Sequence, residues 1–217
     1  MYILGIDPGT GRTGWGVIKV EEGNKISYVA HGCIVTTLDD LMHNRLRILH
    51  EELSLIIKTH TPVCMVVEQI FFGVNARTAI SVSQARGVIL LTGAQSNLPI
   101  HEYTPISVKK LISGSGKAEK KDMQLIVREL LHLTDEVLSF SAKDHAFDDA
   151  ADALAIAINH AWREIGYVPS EIRVLAATDL KREKKELAKI LKIEKEKQGS
   201  EGLKKIDKKV KKVRKKK

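Results

Sequence analysis

Tyr2-Ile3-Leu4-Gly5-Ile6-Asp7 is a short apolar run rich in β formers that ends on an acid, and Pro8-Gly9 turns the chain at once. Working outward, residues 14–20 read as the hairpin partner of that strand, with Trp15, Val17 and Lys19 alternating against Gly16 and Ile18. Gly23-Asn24 supplies a second turn, and Ile26–Val35 a third strand. The period then changes. Over residues 38–58, Leu41, Leu46, Leu49, Leu53, Ile56 and Ile57 fall at helical spacing. After Pro62, residues 63–67 form a continuous apolar run, as expected of a strand covered on both faces.

Residues 76–95 return to helical spacing, and 99–103 read as one more strand. Two helices over 105–112 and 119–133 flank the loop Ser113-Gly114-Ser115-Gly116, and the alanine-rich stretch 148–163 is a strong helix former. Three successive strands followed by alternating helices and strands predict an α/β fold. Its sheet is mixed and five-stranded, an antiparallel meander and then parallel strands, with helices on both faces. Residues 1–165 form this domain, 166–180 a Pro-containing linker, and 181–217 a lysine-rich tail passing from helical to disordered.

Charge is distributed unevenly. The chain of 217 residues carries a formal +8, yet residues 181–217 hold 18 Lys/Arg against 6 Asp/Glu while the remainder is slightly acidic. A sequence-independent attraction to phosphates would therefore come from the tail and weaken with salt, although basic tails also occur as solvated ends without a partner. No run of about 18 apolar residues suggests a membrane span, and the first residues lack a basic n-region, so a cytoplasmic location is expected. Cys33 and Cys64 are widely spaced and have no Cys/His motif around them. That argues against a disulfide framework or a zinc site and favours two small buried hydrophobes.

Four acids sit where acids are poorly tolerated without a task. Asp7 ends the first strand, Glu68 follows the run 63–67, and Asp149 and Asp152 lie three apart on one helix face among Ala150, Ala151, Ala153 and Ala155. Each alone has an ordinary explanation: Asp7 as a turn residue, Glu68 as a strand-end surface residue, Asp149 as an acid at a helix N-terminus. Together they predict a carboxylate cluster, in which like charges repel until divalent cations neutralise them. Oxygen donors suit magnesium, and a pair of such ions about 3.5–4 Å apart suits phosphoryl displacement.

Several motifs now converge. Leu4-Gly5-Ile6-Asp7-Pro8-Gly9-Thr10 with Thr13-Gly14-Trp15-Gly16-Val17-Ile18 resembles the opening of the RuvC family of Holliday-junction resolvases. Val67-Glu68-Gln69-Ile70-Phe71, then Asn75-Ala76-Arg77 and Gln84-Ala85-Arg86-Gly87, is similar to the family's central block. The segment Asp149-Ala150-Ala151-Asp152-Ala153-Leu154-Ala155-Ile156-Ala157 resembles its final catalytic helix. The resemblance spans about residues 1 to 165 in the family's order and spacing.

It implies a ribonuclease H-like nuclease in which Asp7, Glu68, Asp149 and Asp152 are the catalytic, metal-binding acids. Two Mg²⁺ per subunit are implied, with Mn²⁺ as a substitute. The implied partners are four-way junction DNA, a second copy of the chain and the RuvA-RuvB branch-migration complex. Phe71 matches an aromatic inserted at the junction centre, with a core phenylalanine as the other reading. Lys109 and Lys120 match basic residues that contact DNA, and Arg77 and Arg86 are candidates for backbone contacts. Asp148 and His145, beside the final pair, are alternative metal ligands.

Two other classes compete. An actin-like ATPase or sugar kinase shares the strand-turn opening but needs a second phosphate-binding hairpin, which this sequence does not display. A DNA-binding scaffold that kept the fold without catalysis would not need the acids.

Overall fold

The computed structural model describes residues 1–69, 76–134 and 146–166. Strands β1 (Tyr2–Asp7), β2 (Arg12–Val20) and β3 (Ile26–Val35) form the antiparallel meander that the turn signals predict. Helix α1 (Met42–His60) crosses to β4 (Cys64–Glu68), and α2 (Ala76–Gln95) crosses to β5 (Ile100–Tyr103). Both crossovers return parallel strands, giving the order β3-β2-β1-β4-β5. Helices α3 (Pro105–Ser113), α4 (Lys120–Leu130) and α5 (Ala146–Ile165) follow.

The strand period divides the sheet into two faces. Leu4, Ile6, Val17, Met65 and Val67 pack against Leu49, Leu53, Ile56 and Ile57 of α1 and Ala85 and Ile89 of α2 in one apolar cluster. The opposite face carries Gly5, Gly14 and Gly16, and α5 lies on it. A Cβ added at Gly5 would sit 2.0 Å from the Ala153 carbonyl oxygen, and one at Gly14 2.2 Å from that of Asp149. Side chains are thus removed from the strands so that the helix backbone can rest directly on them. Ala150, Ala151, Ala153, Ala155 and Ala157 are all buried, and Ala150, Ala153 and Ala157 lie where α5 meets Gly14 and Gly5, which accounts for small residues on that face.

Several boundaries differ from the sequence expectation. Helix α1 starts at Met42 rather than 38, because the Thr37 hydroxyl and Asp39 bond to each other and hold a local turn. Leu38 and Leu41, read as part of the helix and its apolar side, are 87% and 66% exposed. Helix α4 stops at Leu130 rather than 133, because His132 takes a left-handed φ of 51°. The alternation along β2 sets direction but not burial: Val17 and Ile18 are both buried, since helices cover both sides. The linker from 167 onward and the tail over 181–217 lie outside the described residues. Among the described residues, no helix is long and apolar enough to cross a membrane.

Candidate active site

Asp7 terminates β1 on the face that α5 covers, two residues beyond Gly5. Beside it β4 runs parallel, with Ile6 opposite Val67, so Glu68 follows one rung later at the same strand end. The two carboxyl groups share a hydrogen bond. Glycine-permitted contact with β1 and β2 then lays the first turns of α5 across this end, and Asp149 and Asp152 enter from above. All four acids are partly buried.

Their electrostatics follow from that crowding. Burial, then the charges of Glu68 and Asp152, hold the Asp7 carboxyl well above the usual range. Burial and Asp152 push Glu68 up to about 7, against the pull of Lys109 and Lys120. Asp152 is raised chiefly by burial, although Lys120 opposes it.

Lys120 Nζ lies 3.4 Å from Asp152 Oδ2 and 3.5 Å from Asp149 Oδ1. Burial pulls the Lys120 ammonium down, but the two carboxylates outweigh it and hold it above the ordinary lysine range. A lysine at the first position of α4 works against the helix dipole, by about 0.3–1 kcal/mol. The adjacent acids offset that cost. The helix start itself is held by Asp122 Oδ2, which accepts from the Glu119 backbone N–H at 3.1 Å.

Residues that sequence reasoning missed complete the surroundings. Arg12 Nε donates to Asp149 Oδ2 at 2.7 Å, fixing the rotamer of an acid 137 positions away. The β1–β2 turn is itself held. Thr36 donates from its backbone N–H to Gly11 O and from its hydroxyl to Thr10 O, and buried Arg45 donates to that hydroxyl at 3.0 Å. Cys33 Sγ is 3.9 Å from Asp149 Oδ2, and burial pushes this thiol up to about 11, leaving it neutral. The signal for Arg12 was available: it opens the strand paired with β1, beside the turn that follows Asp7.

The other predicted residues are distributed as follows. Lys109 acts electrostatically on both Glu68 and Asp152, so it belongs to this site. Arg86 is paired with Glu102 of β5. Asp148 accepts from Gln124 Nε2 at 2.7 Å. Phe71, His145 and the Arg77 side chain lie outside the described residues. One expectation is corrected. Cys64, read as a thiol without a Cys/His cluster, lies with His101 and His160 in a group whose ligand atoms are all within 4.8 Å of one another. The three come from β4, β5 and α5, so no local spacing announces them.

This sheet order, with acids at the ends of β1 and β4 under a helix carrying two more, defines a ribonuclease H-like α/β domain. The family model described as crossover junction endodeoxyribonuclease RuvC matches residues 3–160. The crossover junction endodeoxyribonuclease RuvC of Desulforamulus reducens is 47% identical over 161 residues, covering 74% of this chain and 93% of that one. That of Pseudothermotoga lettingae is 46% identical over 160 residues, with 74% and 93% covered. The T. thermophilus RuvC solved in complex with a Holliday junction substrate superposes with a TM-score of 0.67 at 29% identity, covering 76% of this chain and 96% of that chain. The chain belongs to the RuvC family.

Proposed function

We propose that this protein is a structure-selective endonuclease that resolves four-way DNA junctions by paired, symmetric nicks during homologous recombination and DNA repair. The observation that carries this reading is the convergence of Asp7, Glu68, Asp149 and Asp152 from two strand ends and one helix. Its relatives are crossover junction endodeoxyribonucleases, and one of them was solved on junction DNA.

The donor set fits a hard divalent cation. It offers carboxylate oxygens, and the raised Asp7 and Glu68 mark negative charge that a cation would relieve. Asp7, Glu68, Asp149 and Asp152 are the residues that would hold two Mg²⁺ per subunit, with Mn²⁺ as a substitute. When bound, the ions supply Lewis-acid stabilisation of the phosphate and acidify the attacking water.

The chain's own groups do the rest. Arg12 keeps Asp149 turned toward the cluster. Lys120 and Lys109 bring positive charge to where the scissile phosphate enters. Water adds to phosphorus and the 3′ oxygen departs with a proton, leaving a 5′-phosphate and a 3′-hydroxyl that can be resealed. Phe71 stacks on an opened base at the crossover, an interaction worth about 1–3 kcal/mol. Arg77 contacts the backbone nearby. Arg86 reaches a phosphate only if its pair with Glu102 opens. A homodimer presents two such sites at the spacing of the two scissile phosphates, so junction shape rather than base sequence governs binding. The enzyme works in the cytoplasm with the RuvA-RuvB branch-migration complex.

The test is direct. The protein is incubated with a synthetic four-way junction, a linear duplex and ATP, each with Mg²⁺. Paired nicks confined to the junction support the proposal. Turnover of ATP would indicate a phosphotransferase, and junction binding without cutting a scaffold.

A further inference from the structure

The face of the sheet that carries Glu68 also carries Cys64, because residues two and four apart on a strand point the same way. His101 is paired with Val66 and Tyr103 with Glu68, so both belong to that face too. Helix α5 covers it. From Asp152 to His160 the helix rises about 12 Å, and from Glu68 back to Cys64 the strand spans about 13 Å. A thiol and two imidazoles therefore meet at the end of the sheet opposite the four acids.

Their donor atoms come close enough together to share one metal ion. One donor atom from each of Cys64, His101 and His160 lies within 4.8 Å of the others. Tetrahedral zinc, with bonds of about 2.0–2.3 Å, brings its ligand atoms to roughly 3.3–3.8 Å from one another, a small contraction from that spread. Cys64 and His160 are 6% and 3% exposed, while His101 is partly exposed and gives the cluster an edge toward solvent. The Tyr103 hydroxyl is 3.0 Å from His160 Nδ1. That contact leaves Nε2 as the ligating nitrogen and orients the ring, as outer partners of metal-binding histidines do. Glu164, one helical turn beyond His160, acts electrostatically on both Cys64 and His160. A water would complete four-coordination.

We propose that Cys64, His101 and His160 form a second metal site, distinct from the carboxylate cluster, that takes a borderline-soft divalent transition metal of the zinc class. Thiolate and imidazole donors select such ions over magnesium. Bound there, the metal ties β4, β5 and α5 together, the elements that carry Glu68 and Asp152.

Full-length protein stripped with chelator and held in saturating Mg²⁺ is titrated with Co²⁺. The expected result is one Co²⁺ per chain, with the visible bands of tetrahedral cobalt and a sulfur-to-cobalt charge-transfer band, both removed by Zn²⁺. Cys64→Ala and His101→Ala, checked for folding by circular dichroism, lose the charge-transfer band. Asp7→Asn and Cys33→Ala keep it. Tyr103→Phe weakens Co²⁺ binding about ten- to hundredfold while retaining the spectrum. As a readout independent of the spectrum, Zn²⁺ raises the melting temperature of the unmodified protein and not of His101→Ala. Absence of stoichiometric binding overturns the proposal. So does a cobalt spectrum without the sulfur band, or a band that survives Cys64→Ala.

Discussion

Asp7 and Glu68 end adjacent parallel strands and share a hydrogen bond between their carboxyl groups. Burial and the Glu68 charge hold the Asp7 carboxyl well above the usual range, while burial and Asp152, not Asp7, raise Glu68. Replacing Asp7 with asparagine keeps the side chain's size while removing the charge that the proposed metals would need. Asp7→Asn is expected to bind a four-way junction within a few-fold of the unmodified protein and to cut it at least about a hundredfold more slowly, equivalent to about 3 kcal/mol or more of barrier. Gel-shift and single-turnover cleavage on one junction measure both. Cutting near the normal rate would remove Asp7 from the site.

The same crowding makes stability depend on pH in an unusual direction. Glu68 has a folded pKa of about 7 against an ordinary 4.5, so between those values the folded chain holds more protons than the unfolded one. Its contribution is thus greatest below the ordinary value and is lost as pH rises toward 7, by up to about 3 kcal/mol. Metal-free protein should melt at lower temperature at pH 7.5 than at pH 5, and Mg²⁺ should raise the melting temperature more at the higher pH. Thermal unfolding at the two pH values, with and without Mg²⁺, checks this. A Mg²⁺ effect that shrinks with rising pH would contradict it.

Gly14 places the site by having no side chain. A Cβ there would meet the Asp149 carbonyl oxygen at 2.2 Å, and neither backbone has a flexible end to yield. Gly14→Ala must push the start of α5 off β2, at about 1–3 kcal/mol. The expected outcome is a lower melting temperature together with loss of cleavage beyond what the unfolded fraction explains. Gly87→Ala, inside α2 with open space around it and no left-handed φ, is the comparison for a glycine whose side-chain position is free.

Arg12 donates to Asp149 and, on the proposed metal-dependent reading, would act on the ions through it. Arg12→Gln retains a polar group of shorter reach and frees the carboxylate to rotate. The Mg²⁺ concentration for half-maximal cleavage should rise several-fold, with the rate at saturating Mg²⁺ much less affected. Loss of rate at saturating Mg²⁺, with its midpoint unchanged, would instead place Arg12 on the DNA.

The basic tail yields a prediction from charge alone. Deleting residues 181–217 removes 18 Lys/Arg and 6 Asp/Glu. Junction binding should weaken and its dependence on salt flatten, by about 0.9 in log–log slope for each phosphate that the tail would otherwise neutralise, while cleavage remains measurable. Binding at several salt concentrations tests it, and an unchanged slope would assign the tail no part in DNA affinity.

Local periodicity carried most of the fold. The two-residue rhythm, the turn residues and the shift to helical spacing are properties of neighbouring side chains, so Ile26–Val35 and Ala76–Gln95 were legible to the residue. The α1 start was not, because the Thr37–Asp39 bond ends an apolar spacing that otherwise continues. The four acids were legible because a carboxylate at the end of an apolar strand, or amid alanines, is conspicuous against its own neighbourhood.

What remained hidden was every relationship between distant residues of ordinary local character. Arg12 on Asp149, Arg86 on Glu102, and Cys64 with His101 and His160 each join side chains that look like surface charges or core packing in their own segments. Their meeting depends on strand register and on how closely α5 settles on the sheet. The sequence by itself determined most of the elements and picked out the acids that the fold brings together. Tertiary packing decided which cation steadies which acid and where a thiol finds two imidazoles, because those distances are set by backbone contact between elements and not by spacing along the chain.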